Sequence, residues 1–132
     1  MQLVGILNVT PDSFSDGGKF LDPKKALAQA KKLIDDGAEI LDVGAESTNP
    51  KSEPLSPELE QERLKPILPV LLENYPGMIS IDSYHPETIE WAALQGNIII
   101  NDVTGFNSPE MMRIAAEYSL PCVISHLPHE FG

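Results

Sequence analysis

Five short apolar runs, separated by amphipathic stretches, are the feature that most constrains how this chain folds. Each run has the length of a buried strand, and the five lie at Leu3–Val9, Ile40–Ala45, Met78–Ser83, Ile98–Val103 and Pro121–Ser125. The stretches between them predict about four helices, at Asp22–Asp36, Ser56–Asn74, Pro86–Gln95 and Ser108–Tyr118. Strands that alternate with helices are joined by right-handed crossovers, which produce a parallel sheet covered by helices.

Two parallel α/β architectures fit this order of elements. An open flavodoxin-like sheet uses five strands, whereas a (β/α)8 barrel needs about 250 residues. The 132 residues of this chain would then be about half of a barrel. Polar residues favour the barrel, because they follow every strand instead of clustering at one switch point: Asn8, Glu46–Thr48, Asp82–Ser83, Asn101–Asp102 and His126.

The charge balance limits the partners that this chain can have. Its net charge of −11 argues against nucleic acid, because binding phosphates requires clustered Lys and Arg. We expect acidic residues such as Glu58, Glu60 and Glu62 to form solvated helix surface. No apolar run reaches the roughly 18 residues of a membrane span, no signal peptide is visible, and the single Cys122 excludes an internal disulfide. These features predict a cytoplasmic protein.

The loop after the first strand, Asn8–Gly18, is unusually long and polar. Most strand-to-helix connections run about 2–6 residues, and the next helix is predicted to begin only near Asp22. An ordinary turn would use the same Pro, Asp, Ser and Gly residues. The length and the position at the carboxyl end of a parallel strand, where ligands bind in such folds, favour a functional loop.

Several side chains of this loop have a chemistry that suits a ligand site. Asn8 is an oxygen donor that suits Mg²⁺ or phosphate, and it suits capping of a turn equally well. Asp16 precedes two glycines, so a movable carboxylate could stabilise positive charge developing on a substrate. Phe14 offers an apolar wall for a flat ligand, or packing between helix and barrel. Asp12 is interpreted as a turn residue.

Two carboxylates interrupt apolar strands. A buried carboxylate is costly unless it is paired or hydrogen-bonded, and a structural network is the preferred interpretation for Asp42. Asp82 is the last residue of its strand, where a carboxylate can accept two N–H bonds from the edge of a heterocycle. Asn101 ends the next strand with an amide that both donates and accepts. For His126, a satisfied polar group is favoured over a catalyst.

Four segments together resemble dihydropteroate synthases. Residues 5–18, GILNVTPDSFSDGG, are similar to the first signature of that family, and residues 37–48, GAEILDVGAEST, resemble the second. The third and fourth strand ends, ISIDSY and INDVTG, match as well. The likeness runs from the first residues to about His126 and covers the N-terminal half of the family pattern.

The resemblance implies a pterin-binding (β/α)8 barrel, of which residues 1–132 would supply strands 1–5 while the second half is absent. It implies condensation of 6-hydroxymethyl-7,8-dihydropterin pyrophosphate with p-aminobenzoate in folate biosynthesis, with sulfonamides as competitors. By this similarity Asn8 would bind Mg²⁺ and the pyrophosphate, and Asp82 and Asn101 would hold the pterin. Asp16 would stabilise the cationic pterin. The p-aminobenzoate pocket would include Phe14, Thr48 and Pro50.

Two departures from the family pattern bear on activity. Asn49 stands where the family has an arginine, and an amide does not replace a guanidinium on phosphate. The family's His-Met continuation after the fifth strand is replaced by His126-Leu127. A half-barrel also exposes strand edges, so we expect either self-association or a missing C-terminal half. The isolated chain is predicted to be inactive. The alternatives are a non-catalytic pterin-binding or interaction module and the pterin domain of a corrinoid-dependent methyltransferase.

Overall fold

The computed structural model describes residues 3–9, 22–45, 56–102 and 109–124. Within them the five strands are β1 (Val4–Asn8), β2 (Ile40–Gly44), β3 (Ile79–Asp82), β4 (Ile99–Asp102) and β5 (Cys122–Ile124). The helices are α1 (Pro23–Asp35), α2 (Pro57–Leu64), α3 (Leu68–Asn74), α4 (Pro86–Gln95) and α5 (Pro109–Glu117). Each predicted strand is confirmed, one residue shorter at one or both ends.

The order of the strands in the sheet separates the two predicted architectures. The sheet runs β1-β2-β3-β4-β5 and every neighbouring pair is parallel. A flavodoxin-like sheet has the order 2-1-3-4-5, with the first strand in its interior. Here β1 lies at the edge and each strand pairs with the next, as in a (β/α)8 barrel. The barrel topology that the sequence predicted is therefore confirmed.

The prediction of a single helix over Ser56–Asn74 is wrong, so the described residues hold five helices where about four were expected. The chain forms α2 and α3 instead, separated at residues 65–67. Pro66 and Pro69 explain the break, because each lacks the N–H that a continuous helix would bond to the carbonyl four residues earlier. Pro69 is tolerated in the first turn of α3, where that N–H has no helical partner.

Two helices begin with side-chain caps that fix their start after a loop. The Asp22 carboxylate accepts a hydrogen bond from the Lys24 backbone N–H at 2.8 Å. Ser56 Oγ accepts one from the Leu59 N–H at 3.2 Å. Each cap satisfies a backbone donor that the helix leaves unpaired, and each is followed by a proline in the first turn.

The core lies between the sheet and the helices. Alternate strand residues are fully buried there, among them Leu7, Leu41, Val43, Ile81 and Ile100. Helix residues that are equally buried cover them: Ala26, Ala30, Leu68, Leu71, Ile89 and Met111. In the part of the chain that the structure describes, no helix has the length and apolar character needed to cross a membrane.

The other face of the sheet, which we call the inner face, carries the remaining strand residues. Along β1 the alternation is complete, since Val4 and Ile6 are 52% and 64% exposed while Leu7 is buried. Successive strand side chains point to opposite faces, so Val4, Ile6 and Asn8 share the inner face. In the part of the chain that the structure describes, the apolar residues of this face along β1 are open to solvent.

Candidate functional site

The strand register aligns four residues in a row across the carboxyl end of the sheet. Asn8 is paired with Gly44, and Asp82 is paired with Asn101. The pairing of Val43 with Ile81 brings Gly44 next to Asp82. Register partners in parallel strands point to the same face, so this set, which we call the strand-end row, lies on the inner face. Two of the polar residues predicted to act together, Asp82 and Asn101, are direct neighbours.

Exposure differs along the strand-end row. Asn8, on the edge strand, is exposed, whereas Asp82 and Asn101 are half-buried. A half-buried carboxylate beside a half-buried amide can exchange several hydrogen bonds with a flat polar ligand while staying accessible to it. The solvent exposure of the polar side chains in the row is therefore greatest at Asn8, on the edge strand, and lower at Asp82 and Asn101.

Gly44 is a member of the row that sequence reasoning did not single out. A Cβ built on Gly44 would lie 3.5 Å from the Asp82 Cβ and 3.6 Å from Asp82 Oδ2. A single methyl group would make ordinary contact, but a larger side chain would occupy the space above the Asp82 carboxylate. The available signal was a glycine at the end of an apolar strand, which often marks close approach of another group.

A buried hydrogen-bond network lies on the same face behind the strand-end row. Asp42 is only 5% exposed, and its carboxylate accepts hydrogen bonds from Ser80 Oγ and from Asn101 Nδ2, the latter at 3.0 Å. Burial raises the pKa of Asp42, and the two hydrogen bonds oppose that rise. The interpretation of Asp42 as part of a structural network is confirmed.

The same network sets the orientation of the Asn101 amide. Because Nδ2 donates to the Asp42 carboxylate, Oδ1 turns to the opposite side of the group. An amide held in this way presents a defined acceptor to its surroundings instead of rotating freely. Asp42 thus connects the core of the sheet to a residue of the strand-end row.

The prediction that Glu60 lies on a solvated helix surface is wrong. Glu58 and Glu62 are exposed as expected, but Glu60 is 2% exposed and its Oε1 accepts a hydrogen bond from Ser83 Oγ at 2.8 Å. A buried carboxylate is tolerated when it is hydrogen-bonded. The sequence held a signal for this, because Glu60 precedes the buried Leu64 by one helical turn.

The other predicted site residues lie outside the described residues. This applies to the predicted loop carboxylate Asp16 and to Phe14, Thr48 and Pro50. The described residues that precede them are adjacent, because the Val9 N–H donates to the Gly44 carbonyl at 2.6 Å. Among the residues that the structure does describe, no group of three or more His, Cys, Asp or Glu is placed to hold a metal ion.

Comparison with known proteins identifies the family. Residues 4–131 match the model of the pterin binding enzyme family. A dihydropteroate synthase from Clostridium beijerinckii is 46% identical over 125 residues, which are 94% of this chain and 46% of that protein. One from Bacillus subtilis is 45% identical over 94% of this chain and 44% of its own length.

Solved structures agree in fold. A dihydropteroate synthase from Anaplasma phagocytophilum with bound 6-hydroxymethylpterin-monophosphate superposes with a TM-score of 0.81 at 46% identity, over 95% of this chain and 48% of that one. The Xanthomonas albilineans enzyme with 4-aminobenzoic acid gives 0.82 at 36% identity, over 98% and 47%. The chain belongs to the pterin binding enzyme family, and its fold matches the N-terminal half of dihydropteroate synthase barrels. It spans about half the length of the curated relatives it matches.

Proposed function

We propose that this chain supplies the pterin-binding half of a dihydropteroate synthase, a transferase of folate biosynthesis. The observation that carries the proposal is the strand-end row, in which Asp82 and Asn101 are register partners on the inner face. Support comes from the relatives, which are named dihydropteroate synthases, and from similar structures that contain 6-hydroxymethylpterin-monophosphate or 4-aminobenzoic acid.

In the proposed reaction the methylene carbon of 6-hydroxymethyl-7,8-dihydropterin pyrophosphate is transferred from the pyrophosphate oxygen to the amino nitrogen of p-aminobenzoate. Its C–O bond breaks and pyrophosphate leaves with the electron pair. The amino nitrogen of p-aminobenzoate forms the new C–N bond and loses a proton, which gives dihydropteroate. The Asp82 carboxylate accepts two N–H bonds from the pterin edge, and the Asn101 amide, oriented by Asp42, adds a hydrogen bond beside it.

The loop residues have proposed roles at the reacting end of the pterin. Asp16 stabilises positive charge on the pterin as pyrophosphate leaves, and p-aminobenzoate lies against Phe14, Thr48 and Pro50. The contact between the Val9 N–H and the Gly44 carbonyl supports this arrangement, since it brings the starts of both loops together.

Mg²⁺ is the proposed ion, with Asn8 as its protein ligand. The exposed Asn8 amide at the carboxyl end of β1 fits an ion that keeps several waters and takes its other oxygens from substrate phosphates. When bound, the ion neutralises charge on the pyrophosphate. A cytoplasmic location stays a prediction from the sequence.

We further propose that the partner of the inner face is a C-terminal half that adds three strands. The described residues supply five consecutive parallel strands, and the barrel closes with eight. A second copy of this chain would bring the total to ten, which does not match that closure. The exposed Val4 and Ile6 are the apolar surface that such a half would cover. Self-association through the same face is the alternative arrangement.

A non-catalytic pterin-binding module remains the second candidate function. The residue that favours it is Asn49, which lacks the charge that the family's arginine offers to pyrophosphate. The two candidates predict the same pterin binding and differ only in turnover.

The experiment that separates them is an assay of pteroate formation. We expect no turnover from the 132-residue chain alone. Turnover should appear when it is mixed with, or fused to, the C-terminal half of the Clostridium beijerinckii relative, and Asp82→Asn should then abolish most of it. Turnover by the chain alone contradicts the need for a second half. A complemented protein that binds pterin without turnover supports the non-catalytic module.

A further inference from the structure

Helix α2 contacts the carboxyl ends of two neighbouring strands through two side chains one helical turn apart. Glu60 and Arg63 are separated by three residues, so they lie on the same side of the helix. Glu60 reaches the end of β3, and Arg63 reaches the end of β2. We propose that Glu60 and Arg63 are positioning residues. Glu60 anchors the end of β3, which bears the pterin-site residue Asp82, and Arg63 anchors the end of β2, which precedes the 46–55 loop. The link to pterin rests on the proposed function.

The first anchor acts on the residue that follows Asp82. Ser83 Oγ donates to Glu60 Oε1 at 2.8 Å and accepts the His85 backbone N–H at 3.0 Å. Ser83 is 3% exposed, so both hydrogen bonds lie out of competition with bulk water. The Ser83 hydroxyl therefore fixes the turn from β3 into α4, and the hydrogen bond to Glu60 fixes the position of that hydroxyl.

The second anchor acts on the residue that precedes the 46–55 loop. Arg63 Nη1 donates to the Ala45 carbonyl at 3.0 Å, and Ala45 is fully buried. The same loop leads directly into α2, whose cap is Ser56. Ala45 and Ser56, the described residues that flank positions 46–55, are consequently both tied to a single helix.

The two anchors should have separable effects on ligand binding. A displacement of about 1 Å in a positioning element can cost on the order of a hundredfold in activity. Loss of the Glu60 contact releases the turn beside Asp82 and should weaken the pterin. Loss of the Arg63 contact releases the start of the loop and should weaken p-aminobenzoate. A helix that merely stabilised the fold would not divide its effects between two ligands.

The variants are Glu60→Gln, Glu60→Ala and Arg63→Gln, with Glu62→Gln and Lys65→Gln as matched controls. The two control residues are exposed and lie on or next to the same helix. In the part of the chain that the structure describes, they form an ion pair with each other at 3.0 Å. Ser83→Ala removes the same hydrogen bond from the other side, which keeps the test decisive if Glu60→Ala does not fold. Glu60→Gln keeps an oxygen acceptor for Ser83 and should have the mildest effect of the three changes to this contact.

The first measurement is amide hydrogen exchange of the 132-residue chain, below the unfolding transition of every variant. We expect exchange at residues 83–85 to rise about tenfold in Glu60→Ala and in Ser83→Ala, because a buried hydrogen bond is lost. Arg63→Gln should instead raise exchange around residue 45. If the Glu60, Ser83 and Arg63 variants exchange in these segments at the same rate as Glu62→Gln, the proposal is overturned.

The second measurement is titration with 6-hydroxymethylpterin, followed by 4-aminobenzoic acid. Glu60→Ala should weaken the pterin about tenfold or more, and Glu60→Gln should recover part of the loss. If the wild-type chain binds pterin and Glu60→Ala binds it equally well, the inference falls and the proposed function stands. If the wild type does not bind pterin while exchange at residues 83–85 still rises in Glu60→Ala, the proposed function falls and the anchor stands.

Discussion

The two faces of the sheet are built from alternate residues of the same strands, yet they differ in burial and in chemistry. The face that meets the helices contains apolar side chains such as Leu7, Leu41 and Ile81, all buried. The inner face contains the exposed Ile6, the buried carboxylate of Asp42 and the strand-end row. One face therefore holds the fold together, while the other carries the polar groups and an exposed apolar surface.

The largest expected difference between the faces is in stability. Leu41→Ala should lower the free energy of unfolding by about 2–5 kcal/mol, because it removes a buried side chain and leaves a cavity. Ile6→Ala should change it by less than about 0.5 kcal/mol, since Ile6 is already exposed. Urea unfolding measures both. Equal losses would show that the inner face is also packed in solution, for example against a second copy of the chain.

The difference between the two faces should become smaller in a completed barrel. When the C-terminal half is supplied, the cost of Ile6→Ala should rise towards that of a buried residue, while the cost of Leu41→Ala stays the same. An Ile6 cost that does not change on complementation would mean that the added half does not cover β1.

Two glycines, one on each face, provide a second comparison. A Cβ on Gly5 would lie 3.1 Å from both Leu33 Cβ and Ala38 Cβ, so Gly5→Ala should destabilise the fold by about 1–3 kcal/mol. Gly44→Val should instead leave most of the stability and weaken 6-hydroxymethylpterin about tenfold or more, by filling the space above Asp82. Calorimetric titration and urea unfolding of both variants test this. The opposite result would be a folded Gly5→Ala variant that binds pterin weakly and a Gly44→Val variant that binds it normally. That result would contradict the assignment of the pterin site to the inner face.

The smallest expected effect is the pH dependence of Asp42. Burial holds its folded pKa above the ordinary value of 3.8, so the folded state binds this proton more tightly than the unfolded state. The stability of the wild type relative to Asp42→Asn should therefore be greatest below about pH 3.8 and decline as pH rises through the raised pKa. Urea unfolding across pH 3–7 measures the difference between the two proteins. A difference that grows in favour of the wild type as pH rises would contradict the direction of the shift.

The sequence predicted the helix-covered face better than the inner one. Apolar runs and proline-led helix starts located every strand and four of the helix starts, because local periodicity carries that information. The single helix predicted over residues 56–74 is wrong, because Pro66 and Pro69 interrupt it. The barrel class was predicted from the polar residues at every strand end, and the strand order of the sheet confirms it.

Part of the arrangement at the strand ends was predicted from the sequence. Asp82 and Asn101 were expected to act together because parallel strands end at one edge of the sheet, and they are neighbours. The burial of Glu60 is indicated by its spacing to Leu64 and not by composition, which does not reveal which face of a helix meets a strand end. The partnership of Asp42 with Asn101 joins residues 59 positions apart, which no local pattern encodes. The ligand-binding roles of Asp82, Asn101 and Asn8, like those of Asp16 and the other loop residues, stay predictions.

The decisive experiment for the proposed pterin site compares binding of 6-hydroxymethylpterin to the wild-type chain and to Asp82→Asn. Asp36→Asn is the matched control, because Asp36 is an exposed aspartate at the end of α1 on the other side of the sheet. We predict saturable binding by the wild type and by Asp36→Asn, and a loss of about ten- to a hundredfold in Asp82→Asn, as expected for hydrogen bonds to a charged group. Equal affinity of all three proteins, or binding by none of them, would contradict the assignment of the pterin site to the inner face.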